Sequence, residues 1–269
     1  MTSEVRIGIL CIDISTKLRE QYGAQYKSYI KKSYVDFVEA SKGTFVPILI
    51  GKDEDYYRKI MLGIHGILIP GGRVFFEDKY NNDETFPNKC VPSFEIIYKI
   101  AEELNQNGNF PILGICLGFQ LLLYMSSQKN IDRIHDCDNE ENSVPLEILK
   151  KGRLFKTCSE VFQPPLRYNQ QYRITEDSLR GLDWTILSTA KDRNGKPFVA
   201  AVEHKTLPFY GVQFHPEKSM TLQEDLGINE TSVEVSNHIS RFFIDECSKY
   251  STFHSAATVK ECEEVFLFE

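Results

Sequence analysis

The stretch Phe110-Pro-Ile-Leu-Gly-Ile-Cys-Leu-Gly-Phe-Gln-Leu-Leu-Leu-Tyr124 decides the fold. Its first part is a short apolar run that predicts a buried strand, and its last part has the apolar pattern of a helix. Between them, Gly114-Ile-Cys116-Leu-Gly118 has the pattern of a nucleophile elbow. Such a turn holds the cysteine over the first amide groups of the helix, where a thiolate is favoured. This stretch alone leaves both a catalytic and a structural cysteine open.

Apolar runs alternate with helical patterns throughout the first half of the chain. The predicted strands are residues 5–12, 44–50, 64–69 and the run before the elbow, and the predicted helices are 26–41, 53–62 and 91–107. This alternation predicts an α/β fold with a parallel-rich central sheet and helices on both faces. Ligands of such sheets bind outside the carboxyl ends of the strands. Both Cys116 and Gly71-Gly72 follow predicted strands at that end.

The second half of the chain changes character. Residues 128–143 are predicted to be a charged surface excursion, and a tight hairpin turn is predicted at 192–196, with Asn194-Gly195 suited to positive φ. A final amphipathic helix is predicted over 232–250. One domain over residues 1–250, followed by a C-terminal tail at 251–269, is the simplest organisation. Short strands are predicted at 144–149, 166–174, 184–190, 197–203 and 209–214.

The composition narrows the class of protein. The net charge is −7 and no Lys/Arg cluster is present, which disfavours binding to nucleic acid or to an anionic membrane. No apolar run reaches the roughly 18 residues of a membrane span. The seven cysteines are scattered and contain no C-x-x-C, so a zinc site or a disulfide scaffold is disfavoured and a reducing compartment is favoured. Because the N-terminus lacks the pattern of a signal peptide, a cytoplasmic location is expected.

Two further motifs join Cys116 in a candidate constellation. His215-Pro-Glu217 follows an apolar strand, and residues two apart on an extended segment point the same way, so the glutamate is predicted to orient the imidazole. Gly71-Gly72 ends an earlier strand, where a backbone without side chains can approach a reacting carbonyl. The Gly72 and Leu117 amides are predicted to stabilise an oxyanion. Each of these two further motifs alone is more often structural, but their joint occurrence with Cys116 predicts nucleophilic catalysis.

Two stretches resemble the class I glutamine amidotransferase-like superfamily. They are Leu-Gly-Ile-Cys-Leu-Gly-Phe-Gln (113–120) and Tyr-Gly-Val-Gln-Phe-His-Pro-Glu-Lys-Ser (210–219). Within this superfamily the chain is most similar to the γ-glutamyl hydrolases, on further stretches at 28–40, 66–72, 144–155 and 207–214. The resemblance covers residues 5–247 and implies a flavodoxin-like fold.

The resemblance also implies an activity. Members of the γ-glutamyl hydrolase family are omega-peptidases that cleave γ-glutamyl bonds in folylpoly-γ-glutamates through a cysteine thiolate, without a metal or an organic cofactor. Cys116 would then be the nucleophile that forms an acyl-enzyme, His215 its base and later acid, and Glu217 the group that orients His215. Three residues are candidates for binding this small-molecule substrate: Arg73, Gln120 and Asn169. Because members are often homodimers and usually lysosomal, vacuolar or secreted, the resemblance implies a homodimer and offers these locations as the alternative to the cytoplasm.

Two positions depart from the pattern of the γ-glutamyl hydrolases. Gln120 stands where most of them have Glu and is the residue type usual in glutamine amidotransferases, and Asn169 stands where they commonly have an essential His. Three functions therefore stay open. The leading hypothesis is a folylpolyglutamate hydrolase. Gln120 favours a glutaminase-type amidotransferase or a hydrolase of small γ-glutamyl amides, and Asn169 favours a catalytically inactive binding homologue.

Overall fold

Strands and helices alternate in the first half of the chain, and strands dominate between residues 139 and 212. The structure is a computed structural model and describes residues 4–14, 16–23, 25–74, 76, 88–158, 164–250 and 265–268. In chain order the elements are β1 (Val5–Leu10), β2 (Ile12–Asp13), α1 (Thr16–Tyr22), β3 (Ser28–Lys31), α2 (Lys32–Glu39), β4 (Gly43–Ile48), α3 (Glu54–Met61), β5 (Gly66–Ile69), α4 (Cys90–Leu104), β6 (Ile112–Ile115), α5 (Leu117–Ser126), β7 (Asn139–Pro145), β8 (Glu147–Ile148), β9 (Pro165–Gln170), β10 (Trp184–Lys191), β11 (Pro197–His204), β12 (Phe209–Val212), α6 (Glu230–Ser248) and β13 (Val265–Phe268).

An eight-stranded sheet has the strand order β4-β1-β5-β6-β12-β11-β10-β8. The strands from β4 to β12 are parallel, and β11, β10 and β8 continue the sheet in antiparallel fashion. Two groups of helices cover it: α2 packs against α6, and α4 packs against both α3 and α5. The predicted α/β class with a parallel-rich sheet is confirmed.

The complete burial of the central strands explains why they could be predicted from apolar runs in the sequence. Every residue of β5 and β6 is buried, as expected for parallel strands that are covered on both faces. Pro47 lies in β4 at the edge of the sheet, where a missing backbone N–H is tolerated. Asp53 caps α3 by accepting a hydrogen bond from the Tyr56 amide at 2.9 Å. In the turn between β10 and β11, Gly195 has a φ of 76°, whereas Asn194 does not adopt positive φ.

Residues 26–41 do not form the single helix that was predicted. β3 comes first, and α2 begins only at Lys32. β3 pairs with β2 and with β13 in a small second sheet. The apolar spacing of Ile30, Tyr34 and Phe37 fits a helix, but strand partners that are distant in the sequence override this local pattern. α1 lies between the first predicted strand and residue 26, where no helix was predicted.

Two other segments have more structure than predicted. Residues 128–143 were expected to be a surface excursion, but β7 begins at Asn139 and pairs with β9, and a bridge joins Ile134 to Arg173. The predicted tail contains β13, while residues 251–264 and 269 lie outside the described residues. Within the described ranges, no helix is both long and apolar enough to cross a bilayer.

Candidate active site

Cys116 lies at the turn between β6 and α5, with φ 54° and ψ −101°. This positive φ strains any residue that has a Cβ. The turn is fixed because the Cys116 N–H donates to the Val212 carbonyl at 2.8 Å. A side chain at Gly118 would collide with the Ile69 carbonyl, and a Cβ at Gly114 would lie 2.5 Å from the Gly118 backbone. The elbow geometry is therefore present, and close backbone approach explains both glycines.

His215 and Glu217 form a buried pair directly after β12. His215 Nδ1 lies 2.7 Å from Glu217 Oε1, and both side chains are almost fully buried. The contact was predicted, but the reason given for it was wrong. Pro216–Lys218 form a 3-10 turn rather than an extended segment, and it is this turn that brings the carboxylate back beside the imidazole.

The surroundings of His215 favour its charged form. Burial by itself lowers the pKa of His215, but the electrostatic effects of Glu217 and of the neighbouring Cys116 outweigh burial and raise the pKa to about 9. The Nε2 atom has no hydrogen-bond partner in the described part of the chain. At neutral pH the imidazole therefore carries a proton that it can give to a leaving group.

Tyr34 joins the diglycine loop to this pair. Its hydroxyl accepts a hydrogen bond from the Gly71 N–H at 2.8 Å and lies 3.4 Å from His215 Nδ1. Burial raises the pKa of Tyr34, and the charge of Glu217 adds to this effect, so the phenol keeps its proton. A Cβ at Gly71 would lie 2.6 Å from the Tyr34 hydroxyl and 2.8 Å from His215 Cε1. The helical pattern of residues 26–41 gave no indication of these contacts.

The two predicted oxyanion donors lie on adjoining segments. A Cβ at Gly72 would lie 3.3 Å from Leu117 Cδ2. Neither the Gly72 nor the Leu117 amide donates to another group within the described residues, whereas the Gly71 amide is engaged by Tyr34. The Leu117 amide is the first of α5, at the positive end of the helix dipole. The assignment of these two amides as oxyanion donors stays a prediction.

A basic cavity of about 590 Å³ borders Cys116 and His215. This volume lies within the range of sites for small molecules. Among the described residues that line it, four are basic and one is acidic: Lys31, Arg73, Arg133 and Lys218, against Glu140. Lys218 also lies 3.3 Å from a Glu141 carboxylate oxygen. Because the whole chain carries a net charge of −7, this concentration of positive charge is local and fits an anionic ligand.

Arg73 and Asn169, two of the predicted substrate-binding residues, both border the cavity. Arg73 lies at the rim, where its side chain is 79% exposed and 3.8 Å from a Glu140 carboxylate oxygen. The Asn169 side-chain amide donates to Glu141. Its backbone carbonyl lies 3.7 Å from Cys116 Sγ and accepts from the thiol. Asn169 thus contacts the predicted nucleophile through its backbone rather than its side chain.

Gln120, the third predicted substrate-binding residue, also borders the cavity but is engaged at both ends of its amide. Its Nε2 donates to Gln213 Oε1 at 2.9 Å, and its Oε1 accepts from Arg133 Nε at 3.1 Å. The Arg133 guanidinium lies over the rings of Phe76 and Tyr172. Arg133 was not predicted as a site residue, because a charged side chain in an irregular, polar segment usually lies in solvent at the surface.

The chain matches the family model for class I glutamine amidotransferases over residues 23–234. It belongs to this family. It is 27% identical over 261 residues to γ-glutamyl hydrolase B of Dictyostelium discoideum, covering 90% of this chain and 72% of that protein. It is 28% identical over 274 residues to the γ-glutamyl hydrolase of Bos taurus, covering 95% and 81%. These relatives confirm the predicted resemblance and the predicted type of enzyme.

A solved structure shares the fold. A glutamine amidotransferase of Thermotoga maritima superposes with a TM-score of 0.52 at 12% identity, covering 91% of this chain and 99% of that one. Identity this low shows similarity of fold alone, so the function has to be argued from the site.

Proposed function

We propose that this chain is a cysteine hydrolase that cleaves the γ-glutamyl bonds of folylpoly-γ-glutamates through an acyl-enzyme at Cys116. The observation that carries the proposal is the meeting of Cys116 with the buried His215–Glu217 pair beside a basic cavity. Similarity to γ-glutamyl hydrolases supports the type of bond. The basic lining supports a polyanionic substrate, because every γ-linked glutamate adds a free α-carboxylate.

Acylation starts from the form of the site in which the Cys116 proton has passed to His215. The Cys116 thiolate attacks the γ-carbonyl carbon, and the carbonyl oxygen becomes an oxyanion between the Gly72 and Leu117 amides. As the C–N bond breaks, His215 gives its Nε2 proton to the leaving nitrogen. Glu217 accepts the Nδ1 hydrogen bond and keeps the imidazole in the required orientation. The products of this step are a thioester and the released amine, which is glutamate or a shorter glutamate chain.

Deacylation reverses these roles with water as the attacking group. Neutral His215 takes a proton from the water as its oxygen adds to the thioester carbonyl. Collapse of the second tetrahedral intermediate expels the Cys116 thiolate and leaves a carboxylic acid on the folate product. This acid loses its proton to water, which balances the proton that the released amine takes up from water. The thiolate and the protonated imidazole are thereby restored. No proton or electron is left unbalanced over the cycle.

Incubation with folate pentaglutamate tests the proposal, with chain length followed by mass spectrometry at neutral and acidic pH. We expect shortening by the wild type and none by Cys116→Ala. Cys247→Ala is a matched control because Cys247 is also buried and unpaired but lies on α6, so this variant should remain active. Unchanged chain length with the wild type at both pH values would contradict the proposal.

A second candidate is hydrolysis of glutamine or of a small γ-glutamyl amide. It rests on Gln120, the residue type usual in glutamine amidotransferases, and on the family match. Release of ammonia from free glutamine, with folate polyglutamates left intact, would favour it. Alkylation of Cys116 by an electrophilic glutamine analogue at neutral pH separates both enzymes from an inactive binding protein, in which the thiol would not react.

A further inference from the structure

Arg133 is held rigidly in the wall of the cavity. Its guanidinium carbon lies 3.6 Å from the ring centroid of Phe76 and 4.4 Å from that of Tyr172. Contact with two aromatic rings holds a planar guanidinium in one orientation. Phe76 is itself buried and packs against Tyr124, with ring centroids 4.8 Å apart. The cation is therefore supported from the core and differs from a mobile charge at the surface.

Gln120 fixes the same guanidinium from a second direction. Because a guanidinium only donates hydrogen bonds, the amide oxygen of Gln120 must face Arg133 Nε, at 3.1 Å. The amide nitrogen then donates to Gln213 Oε1 at 2.9 Å. A neutral amide at position 120 orients Arg133 without cancelling its charge, whereas a carboxylate there would pair with it.

We propose that Arg133 binds a free α-carboxylate of the γ-glutamyl substrate and that Gln120 is the residue that positions it. Arg133 borders the same cavity as Cys116 and His215, and its planar N–H fork matches a carboxylate. A γ-linked glutamate chain presents such carboxylates next to each cleavable bond. The inference rests on the proposed function and adds to it the side chain that recognises one particular carboxylate of the chain.

Binding, rather than turnover, tests this inference. In a Cys116→Ala background, which cannot form the thioester, calorimetry measures the affinity for N-benzoyl-γ-glutamylglutamate. The same is done for its three derivatives in which one carboxylate is replaced by a carboxamide. Arg133→Gln should weaken binding of the parent and of two derivatives by about 10- to 100-fold. The remaining derivative, which should be one of the two α-carboxamides, should bind both proteins equally, because it lacks the carboxylate that Arg133 contacts.

Arg73→Gln is the matched control, because it removes the same charge from the exposed rim of the cavity. This variant should weaken the binding of all four ligands by the same factor, below about 5-fold, and the factor should become smaller when salt is added. Gln120→Glu should weaken the binding of the same ligands as Arg133→Gln does. The double variant should bind them no more weakly than Arg133→Gln alone. Additive losses would contradict the positioning role of Gln120.

An equal loss for all four ligands in Arg133→Gln, or no loss, overturns the inference. If Arg133→Gln does not fold, Arg133→Lys keeps the charge without the fork and should show a smaller loss confined to the same ligands. If Cys116→Ala binds these ligands but the wild type does not hydrolyse the parent, the proposed function fails and the role of Arg133 stands. If Cys116→Ala binds none of them while the wild type shortens folate pentaglutamate, the role of Arg133 fails and the proposed function stands.

Discussion

Cys116 occupies a backbone conformation that suits glycine better than cysteine. Its φ of 54° costs a residue with a Cβ about 1–3 kcal/mol. We therefore expect Cys116→Gly to have a free energy of unfolding about 1 kcal/mol higher than that of Cys116→Ala, after the entropy cost of glycine is subtracted. Chemical denaturation of the two inactive variants measures the difference. Equal or lower stability of the glycine variant would contradict strain at the elbow.

Glu217 is expected to set the alkaline limit of turnover. The pKa of His215 is raised to about 9, so kcat/KM should fall as the pH rises through about 9, where the imidazole loses the proton that it gives to the leaving amine. Glu217→Gln removes a charge that raises this pKa, so the alkaline limb should move to lower pH and kcat should drop on the order of 10²-fold. The pH profiles of the two proteins test this. An alkaline limb that does not move would mean that another group controls it.

The Tyr34 hydroxyl is expected to matter for rate as well as for stability. Tyr34→Phe leaves the Gly71 amide without its acceptor and removes a polar contact of His215, so kcat should fall by about 10-fold or more. Tyr57→Phe is a matched control, because Tyr57 is equally buried and donates to the Leu49 carbonyl at 3.0 Å, but it lies outside the cavity. The control should lose about 1 kcal/mol of stability and keep its kcat. Similar kcat values for the two variants would show that Tyr34 is only structural.

At the scale of elements, the sequence predicted what local patterns determine. The runs that form β5 and β6 are entirely apolar, and the glycines around Cys116 indicate a turn in close contact with a neighbouring strand. β3 was missed because its partners β2 and β13 are not adjacent to it in the sequence. His215 and Glu217 were paired correctly, but through an extended backbone that is in fact a 3-10 turn. Arg133 was missed because its role depends on side chains from other segments.

β13 is expected to support the wall of the active site. It pairs in register with all of β3, which contributes Tyr29 and Lys31 to the cavity and leads directly into α2. Deleting residues 251–269 removes these backbone hydrogen bonds, so kcat/KM should fall by about 10-fold or more. The eight-stranded sheet should remain folded because β13 is not part of it. Kinetics together with circular dichroism measure both effects. Unchanged kinetics would contradict a supporting role for β13.

For the whole molecule, the fold alone does not determine the function. The same architecture occurs in the Thermotoga maritima protein at 12% identity. The function is instead argued from a basic cavity in an acidic chain, and from the three buried residues Cys116, His215 and Glu217 beside it. Both residues that depart from the pattern of the γ-glutamyl hydrolases make contacts in the site. Gln120 accepts a hydrogen bond from Arg133, and the Asn169 backbone carbonyl accepts one from Cys116.

Direct observation of the acyl-enzyme is the most direct test of the account. The protein is mixed with folate pentaglutamate, quenched rapidly and analysed by mass spectrometry, intact and after digestion. We predict a transient mass increase equal to that of a pteroyl acyl group carrying one to four glutamates, located on the peptide that contains Cys116 and absent from Cys116→Ala. Turnover without any adduct, or an adduct on another residue, would contradict the account.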